Sequence, residues 1–415
     1  MPRDRCRHRA RPCRRGVQHR RRQRSPQRGS HAHAAAPSRP AGIAHPQRTG
    51  SPGARSAVQP RHNEASRAGL GASRRLRAGP EGHRALVPGE RVVVAADKGR
   101  RSRLPRVLPG TVRLSAVSGV LVTGARGFAG SHLVEHLRKS GTVVTAWGRQ
   151  EVDLLDRDAV SRAIADLKPT VVYHCAGVSH VGESFDNIGD TLAANVLGTH
   201  HLLDALRSAG VKARLLITGS SLVYRQSDRA LTEDDPIGPA TPYALSKLAQ
   251  EMLGQRGIKE DGQEVLFSRS FNHTGPRQDA SFAAPSFARQ IARIEKGRTT
   301  PEITVGNLDA ARDLHDVRDT VRAYAAIVER GTPGRIYNVC AGQTYKIRDV
   351  LERLVAMSRV PVTIKVDVAR YRPSDNPVLL GDRSRIGREL GWEPDIPLDQ
   401  TLSDLLDYWR LEAKQ

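Results

Sequence analysis

The chain has 415 residues and a formal net charge of +23, but the charge sits at one end. Residues 1–110 hold 27 Lys and Arg against five Asp and Glu, and none of the 17 Phe, Trp and Tyr. The remainder is nearly neutral, so a basic nucleic-acid-binding body is excluded, and no apolar run approaches the roughly 18 residues of a membrane span.

A segment without aromatics, rich in Arg, Pro, Gly, Ser and Ala, buries too little apolar surface to offset its conformational entropy. Residues 1–112 are therefore expected to be disordered. A targeting peptide or a nucleic-acid-binding arm would share this composition. The segment is nevertheless long and Pro-rich, with no clear amphipathic helix and no aromatic for base stacking. The favoured reading is a start codon placed too far upstream. Met252 and Met357 lie too late to open the fold, so a start near Val112 or Val117 would use a non-ATG codon. Of the four cysteines, Cys6 and Cys13 are in this segment. Cys175 and Cys340 lie in apolar strand-like runs with no metal or disulfide spacing, and read as buried, reduced thiols of a cytoplasmic protein.

From residue 117 onward, strand-length apolar runs alternate with helix-period segments. Strands are predicted at 117–123, 142–147, 170–174, 214–218 and 264–270. Helices are predicted at 128–139, 156–167, 191–209 and 243–257, with Asp156 as an N-cap. This rhythm predicts an α/β fold, a doubly wound parallel sheet of the Rossmann type. The expected NAD(P)-binding domain covers 113–270. After it the rhythm loosens. Residues 272–278 read as a loop, further helices are predicted at 285–296, 317–329 and 347–357, and strands at 303–305, 336–339 and 362–366. Residues 271–415 are expected to form a smaller substrate lobe interleaved with the last sheet elements.

The first strand runs into Thr123-Gly124-Ala125-Arg126-Gly127-Phe128-Ala129-Gly130. Gly124 permits a tight turn, Gly127 lets backbone approach a pyrophosphate, and Gly130 lets the helix pack close to the strand. The helix N-terminus beginning at Phe128 then offers free N–H groups to the anion. A glycine triplet alone is weak; strand before and helix after make it specific. The second strand ends in Gly148-Arg149-Gln150. An NAD-selective site places an acid there, whereas Arg149 suits the 2′-phosphate of NADP. NADP(H) is thus the expected cofactor, with NAD(H) usable; the bland alternative is a solvated surface arginine. Asp153 either bonds the adenine edge or helps start the next helix.

Tyr243-Ala-Leu-Ser-Lys247 places Tyr and Lys four apart on one helix face. An ammonium beside a phenol is expected to lower the phenol's pKa toward neutrality, so that Tyr243 can exchange a proton with a carbonyl or alcohol. Such pairs also arise by chance. The strand ending Thr218-Gly219-Ser220-Ser221 adds a hydroxyl for the reacting oxygen: Ser220, with Ser221 as its rival.

Together, the glycine triplet, His174-Cys175-Ala176-Gly177, Asn195 in its helix, the Ser-Ser…Tyr strand and Tyr-x-x-x-Lys resemble the extended short-chain dehydrogenase/reductase superfamily over about residues 117–410. Arg269–Pro276, Val305–Asp313, Asp316–Asp319, Tyr337–Cys340 and the stretch from Arg372 to Asp382 are similar to its GDP-mannose branch. That resemblance implies Ser220, Tyr243 and Lys247 as catalytic residues. It implies cofactor contacts from Gly124, Gly127, Phe128, Gly130, Arg149, Asp153, Ala176, Asn195, Tyr243 and Lys247. It implies substrate contacts from Asn272, Arg312 and Arg372, with Asn307 supporting its loop, and a homodimer formed through two helices. Either arginine could instead pair structurally with Asp313 or Asp375.

The dehydratases of that branch carry a carboxylate, just before the Tyr ending this strand, that removes the proton at carbon 5 of the sugar. Here Ser220-Ser221-Leu222 stands in its place, and Leu222 cannot act as a base. The expected reaction is NAD(P)H-dependent reduction of the 4-keto group of GDP-4-keto-6-deoxy-D-mannose to GDP-D-rhamnose. A 4,6-dehydratase, in which an acid from elsewhere substitutes, and a 4-epimerase stay open. More distant is a non-catalytic dinucleotide sensor with a nucleic-acid-binding tail. For the tail, the intact mass of the native protein is expected to lack the Arg-rich segment; a mass that includes it sinks the upstream-start reading.

Overall fold

The computed structural model describes residues 119–367 and 377–413. The expected disordered segment 1–112 and the substrate candidate Arg372 lie outside the described residues.

The elements to residue 274 follow the expected alternation: β1 Val120–Thr123, α1 Phe128–Lys139, β2 Val144–Trp147, α2 Arg157–Leu167, β3 Val171–His174, short helices α3 Glu183–Asp186 and α4 Ile188–Leu192, a π turn Ala193–Leu197, α5 Gly198–Ser208, β4 Arg214–Ser220, α6 Pro242–Asp261, β5 Glu264–Ser270 and β6 Asn272–Thr274. Asp156 caps α2 by accepting from the Ala159 N–H at 2.9 Å. Two expectations change. The helix predicted over 191–209 starts earlier and is interrupted by the π turn, a local widening that periodicity does not register. The loop predicted at 272–278 begins as β6, which pairs in parallel with a later strand.

Beyond come α7 Ala283–Glu295, β7 Glu302–Val305, β8 Ala311–Asp316, α8 Val317–Arg330, β9 Ile336–Val339, β10 Thr344–Lys346, α9 Ile347–Ala356, β11 Thr363–Val366, β12 Val378–Leu379, α10 Ser384–Leu390 and α11 Leu398–Glu412. The main sheet has the order β2-β1-β3-β4-β5-β9, and every pairing in it is parallel. Its sixth strand comes from beyond residue 270, and β8 gathers β6, β10 and β12 around it in a second, smaller sheet.

Strands of a parallel sheet are covered on both faces and alternate which face each side chain meets. Val120 and Val122 pack with Leu133 and Leu137 of α1 and Val321 of α8. Leu121, between them, packs with Val160 and Ile164 of α2 and Leu202 and Leu206 of α5. A third core joins α7, α9 and α11 through Phe287, Ile291, Leu351 and Leu402. Each such side chain stabilises the fold by about 1.5–3 kcal/mol.

A buried ion pair ties α6, β5 and β9 together. The Arg269 guanidinium donates to both Glu251 oxygens, at 3.0 and 2.7 Å, and lies 4.6 Å above the Tyr224 ring. The Tyr224 hydroxyl donates to Asn338 Oδ1 at 2.7 Å. Arg269 and Glu251 are both buried, so removing one strands the other's charge. Glu251→Ala is expected to destabilise the protein by about 3–5 kcal/mol, read as a lowered urea midpoint; an unchanged midpoint would show that the pair contributes nothing net.

Candidate active site

The sheet order reverses between β1 and β3: the chain runs from β1 to β2 on one side, then crosses to β3 on the other. A crevice opens there at the carboxyl ends of the strands. Gly124 holds it together. Its φ is +68°, and a Cβ at this position would lie 2.6 Å from the Ala176 backbone nitrogen, so only glycine lets the two strand ends meet. At Gly130 a Cβ would lie 2.1 Å from the Gly124 carbonyl oxygen, whereas at Gly127 it would touch only that oxygen, at 3.2 Å, and otherwise project into the cleft. The floor of the cleft is therefore bare backbone next to the N-terminus of α1, whose first turn carries no acid. That is a cradle for a diphosphate.

The crevice divides into two cavities that share Gly124, Gly127, Cys175, Gly177 and Val178. The outer one, about 300 Å³, is lined by Arg126, Trp147, Arg149, Asp153 and Ala176. Arg149 pairs with Asp153 at 3.4 Å, so these two candidates hold each other. Arg126, unremarked in the sequence because it sits among the glycines, pairs with Glu151. Glu151 is itself held by the Gly148 N–H at 2.8 Å. Two arginines, each leashed by a carboxylate, thus flank the outer cavity.

The inner cavity, about 390 Å³, brings together Phe128, Gly130, Ser220, Tyr243, Lys247 and Asn272. Ser220 ends β4 and accepts from the Leu222 N–H at 3.2 Å, while Tyr243 and Lys247 stand on α6 behind Pro242, with Thr241 as N-cap. Ser221 and Leu222 also line the cavity. Of the two serines it is Ser220 that acts to lower the pKa of the Tyr243 phenol, which favours it over Ser221 as the group set against the phenol. The carboxylate among the lining residues is Asp279, exposed and accepting from the Ser281 N–H at 2.8 Å. The sequence reading also missed Tyr324, whose hydroxyl meets Ser270 Oγ at 2.9 Å in the cavity wall. On its amphipathic helix it reads as one more core residue. His273, stacked on Phe128 with ring centroids 5.8 Å apart, was hidden in what looked like a loop.

The electrostatics depart from expectation in one respect. The phenol of Tyr243 is pushed up by burial, which outweighs the lowering by Ser220, because the Lys247 ammonium is directed elsewhere: its Nζ donates to Gln250 Oε1 at 2.6 Å. Burial in turn lowers Lys247 to about 8.

Three other candidates are not brought to the cavities. Asn195, fully buried in the π turn, donates from Nδ2 to Val178 O at 3.1 Å and to Ser246 Oγ at 2.8 Å, and accepts at Oδ1 from the Val178 N–H at 2.7 Å. It lines neither cavity; it staples the loop after β3 to α6. Asn307 accepts from the Asp309 N–H at 2.9 Å in the connection before β8. Arg312 lies in β8, donating to the Ala311 carbonyl at 2.8 Å. Asp313, one of the partners considered for Arg312, instead accepts from the N–H groups of Ala341 and Gly342 at 2.7 and 2.9 Å. Among the described residues there is no cluster of His, Cys, Asp and Glu able to hold a metal ion.

The family model described as GDP-mannose 4,6 dehydratase matches residues 147–405. The chain is 38% identical to the GDP-6-deoxy-D-mannose reductase of Pseudomonas aeruginosa, over 71% of this chain and 98% of that protein. It is 26% identical to a GDP-mannose 4,6-dehydratase of Vibrio cholerae, over 69% and 92%. Among solved structures, RMD from Pseudomonas aeruginosa complexed with NADPH superposes with a TM-score of 0.66 at 36% identity, covering 71% of this chain and all of that one. A UDP-glucose 4-epimerase of Thermus thermophilus in complex with NAD gives 0.63 at 27% identity, covering 70% and 98%. A relative matched along nearly its whole length, and a family model spanning more than half of the chain, place this protein in the GDP-mannose 4,6-dehydratase family, among the NAD(P)-dependent nucleotide-sugar enzymes of the short-chain dehydrogenase/reductase type.

Proposed function

We propose that this protein reduces the 4-keto group of GDP-4-keto-6-deoxy-D-mannose to give GDP-D-rhamnose, using NADPH in preference to NADH. The observation that carries the reading is Leu222. It lines the inner cavity two residues beyond Ser220, where elimination would need a carboxylate, and the acid of that lining, Asp279, is exposed. The similarity to the Pseudomonas aeruginosa reductase supports the same reaction.

The bare backbone at Gly127 and the α1 N-terminus fit the cofactor's diphosphate, and Arg126 and Arg149 suit a 2′-phosphate. When bound, the dihydronicotinamide supplies the hydride to carbon 4. Tyr243 donates its proton to the carbonyl oxygen, and Ser220 hydrogen-bonds that same oxygen. The raised pKa of Tyr243 keeps the phenol protonated and ready to donate, the state reduction requires. Asn272, at the cavity wall, is the substrate-side contact this reading retains; Arg372 belongs to it as a candidate diphosphate ligand from outside the described residues.

Self-association is part of the proposal. Leu245 and Met252 stand seven residues apart on one stripe of α6 and are 51% and 63% exposed. Ile188 of α4 and Leu197 of the π turn, which pack beside α6, are exposed as well. An apolar face of this kind supports a two-fold dimer through these helices. Cys175 and Cys340 are free thiols, which supports a reducing, cytoplasmic location. No helix among the described residues is long and apolar enough to cross a membrane.

Two experiments test these readings. The full chain, supplied with GDP-4-keto-6-deoxy-D-mannose made in place by a dehydratase, is expected to consume NADPH in proportion to keto sugar. Tyr243→Phe should lower that rate by at least about 10²-fold while leaving NADPH binding intact. Dehydration of GDP-mannose without the helper enzyme would overturn the reductase reading. In sedimentation the protein is expected to run as a dimer and Leu245→Glu/Met252→Glu as a monomer; an unchanged sedimentation coefficient would refute this interface.

A further inference from the structure

We infer that Gln250 is a positioning residue for Lys247, holding the ammonium at the end of a buried chain of hydrogen bonds, each of fixed direction, that meets at Thr199 and reaches Thr123 at the head of the phosphate loop. The inference rests on the reading of Lys247 as part of the active site.

The chain can be followed atom by atom. Lys247 Nζ donates to Gln250 Oε1 at 2.6 Å. Gln250 Nε2 donates to Thr199 Oγ1 at 2.6 Å. The Thr199 hydroxyl donates to the Asn195 carbonyl at 2.5 Å and lies 2.8 Å from His174 Nε2. His174 Nδ1 lies 2.8 Å from Thr123 Oγ1, which accepts from the Ala176 N–H at 3.4 Å. Lys247, Gln250, Thr199, His174 and Thr123 are all buried.

Three members leave no choice of direction. A lysine ammonium only donates, a backbone carbonyl only accepts, and a backbone N–H only donates. The ammonium therefore fixes the amide of Gln250 with Oε1 toward Lys247 and its NH₂ toward Thr199. The Thr199 proton is committed to the Asn195 carbonyl, so its lone pairs receive Gln250 and His174. His174 must then carry its proton on Nε2 and accept at Nδ1 from the Thr123 hydroxyl. His174 is held neutral, its pKa lowered by burial to about 3, so the single tautomer persists. Each of these bonds sets one donor against one acceptor, and turning the Gln250 amide round would set NH₂ against NH₃⁺ at one end and leave Thr199 without its donor at the other. A matched buried network of this kind costs energy to break at any member.

The groups facing Lys247 are uncharged at neutral pH. Beside His174 they are Cys175, whose thiol burial raises to about 12, and the Tyr243 phenol. Gln250 is thus a neutral acceptor where a carboxylate would hold the ammonium far more tightly. With no carboxylate to oppose it, burial lowers Lys247 to about 8, and the ammonium is held in place by one side chain outside the lining of either cavity.

The test reads the lysine directly, without substrate, so failure of the proposed reduction would not affect it. In the full chain labelled with ¹³Cε-lysine, the Lys247 resonance is identified by its loss in Lys247→Arg and titrated by NMR. Gln250→Glu is expected to raise the midpoint by about one unit or more through the added opposite charge, and Gln250→Leu to lower it through loss of the acceptor. Gln250→Glu also removes the donor to Thr199, so a lower melting temperature with a raised midpoint is the expected combination. A role confined to packing would lower the melting temperature and leave the midpoint where it was, and an unchanged midpoint in Gln250→Glu overturns the inference even if Gln250→Leu fails to fold.

Discussion

The direct approach of Gly124 to the Ala176 backbone is the contact on which the rest of the site depends. It closes the carboxyl ends of β1 and β3 onto each other at the point where the strand order reverses. Once those ends meet, the glycine loop, Cys175 and the loop after β3 share one crevice. Thr123 and His174, the last residues of the two strands, also come within hydrogen-bond distance. A methyl group at position 124 would separate the strands, and the two cavities would lose their common floor.

The fold shows two ways of burying a cation. Arg269 is matched by the full carboxylate of Glu251 and by the face of Tyr224, an arrangement that locks its charge and joins β5 to α6 and, through Asn338, to β9. Lys247 receives an amide oxygen instead. A fixed ion pair suits a strut. A lysine whose environment shifts its protonation equilibrium needs a neutral partner, because a nearby carboxylate would keep it charged. The difference lies in adjacent residues of one helix, Gln250 and Glu251, which point into different surroundings.

The inner cavity combines these supports with a wall drawn from distant segments. Ser220 comes from β4, Tyr243 from α6, Asn272 from β6 and Tyr324 from α8. Helix α8 packs against α1, whose N-terminus carries the phosphate loop, so the part of the chain after residue 270 both contributes to the main sheet and buttresses the cofactor side. Asn195 acts in the same spirit, joining the β3 loop to α6 from beneath rather than reaching the cleft. Its π turn is the local irregularity that accompanies this contact.

The sequence by itself determined the alternation of strands and helices through residue 270, the glycine loop and the Tyr243–Lys247 pair. These rest on local rules: strand and helix periods, capping, and residues three, four or six apart. It also determined that Leu222 cannot act as a base, since that depends on the side chain's chemistry alone. Tertiary structure decided what depends on contacts between residues far apart in the chain. The phenol's pKa reflects burial rather than its sequence neighbour Lys247, because the ammonium turns to Gln250. Asn195 became a staple, Arg126 joined Arg149 beside the outer cavity, and β6 formed where a loop was expected because β8, some forty residues later, supplies the partner for its backbone groups. A strand of three residues has no period to read, and a side chain's direction is set by what packs around it, so neither could be fixed before the chain had folded.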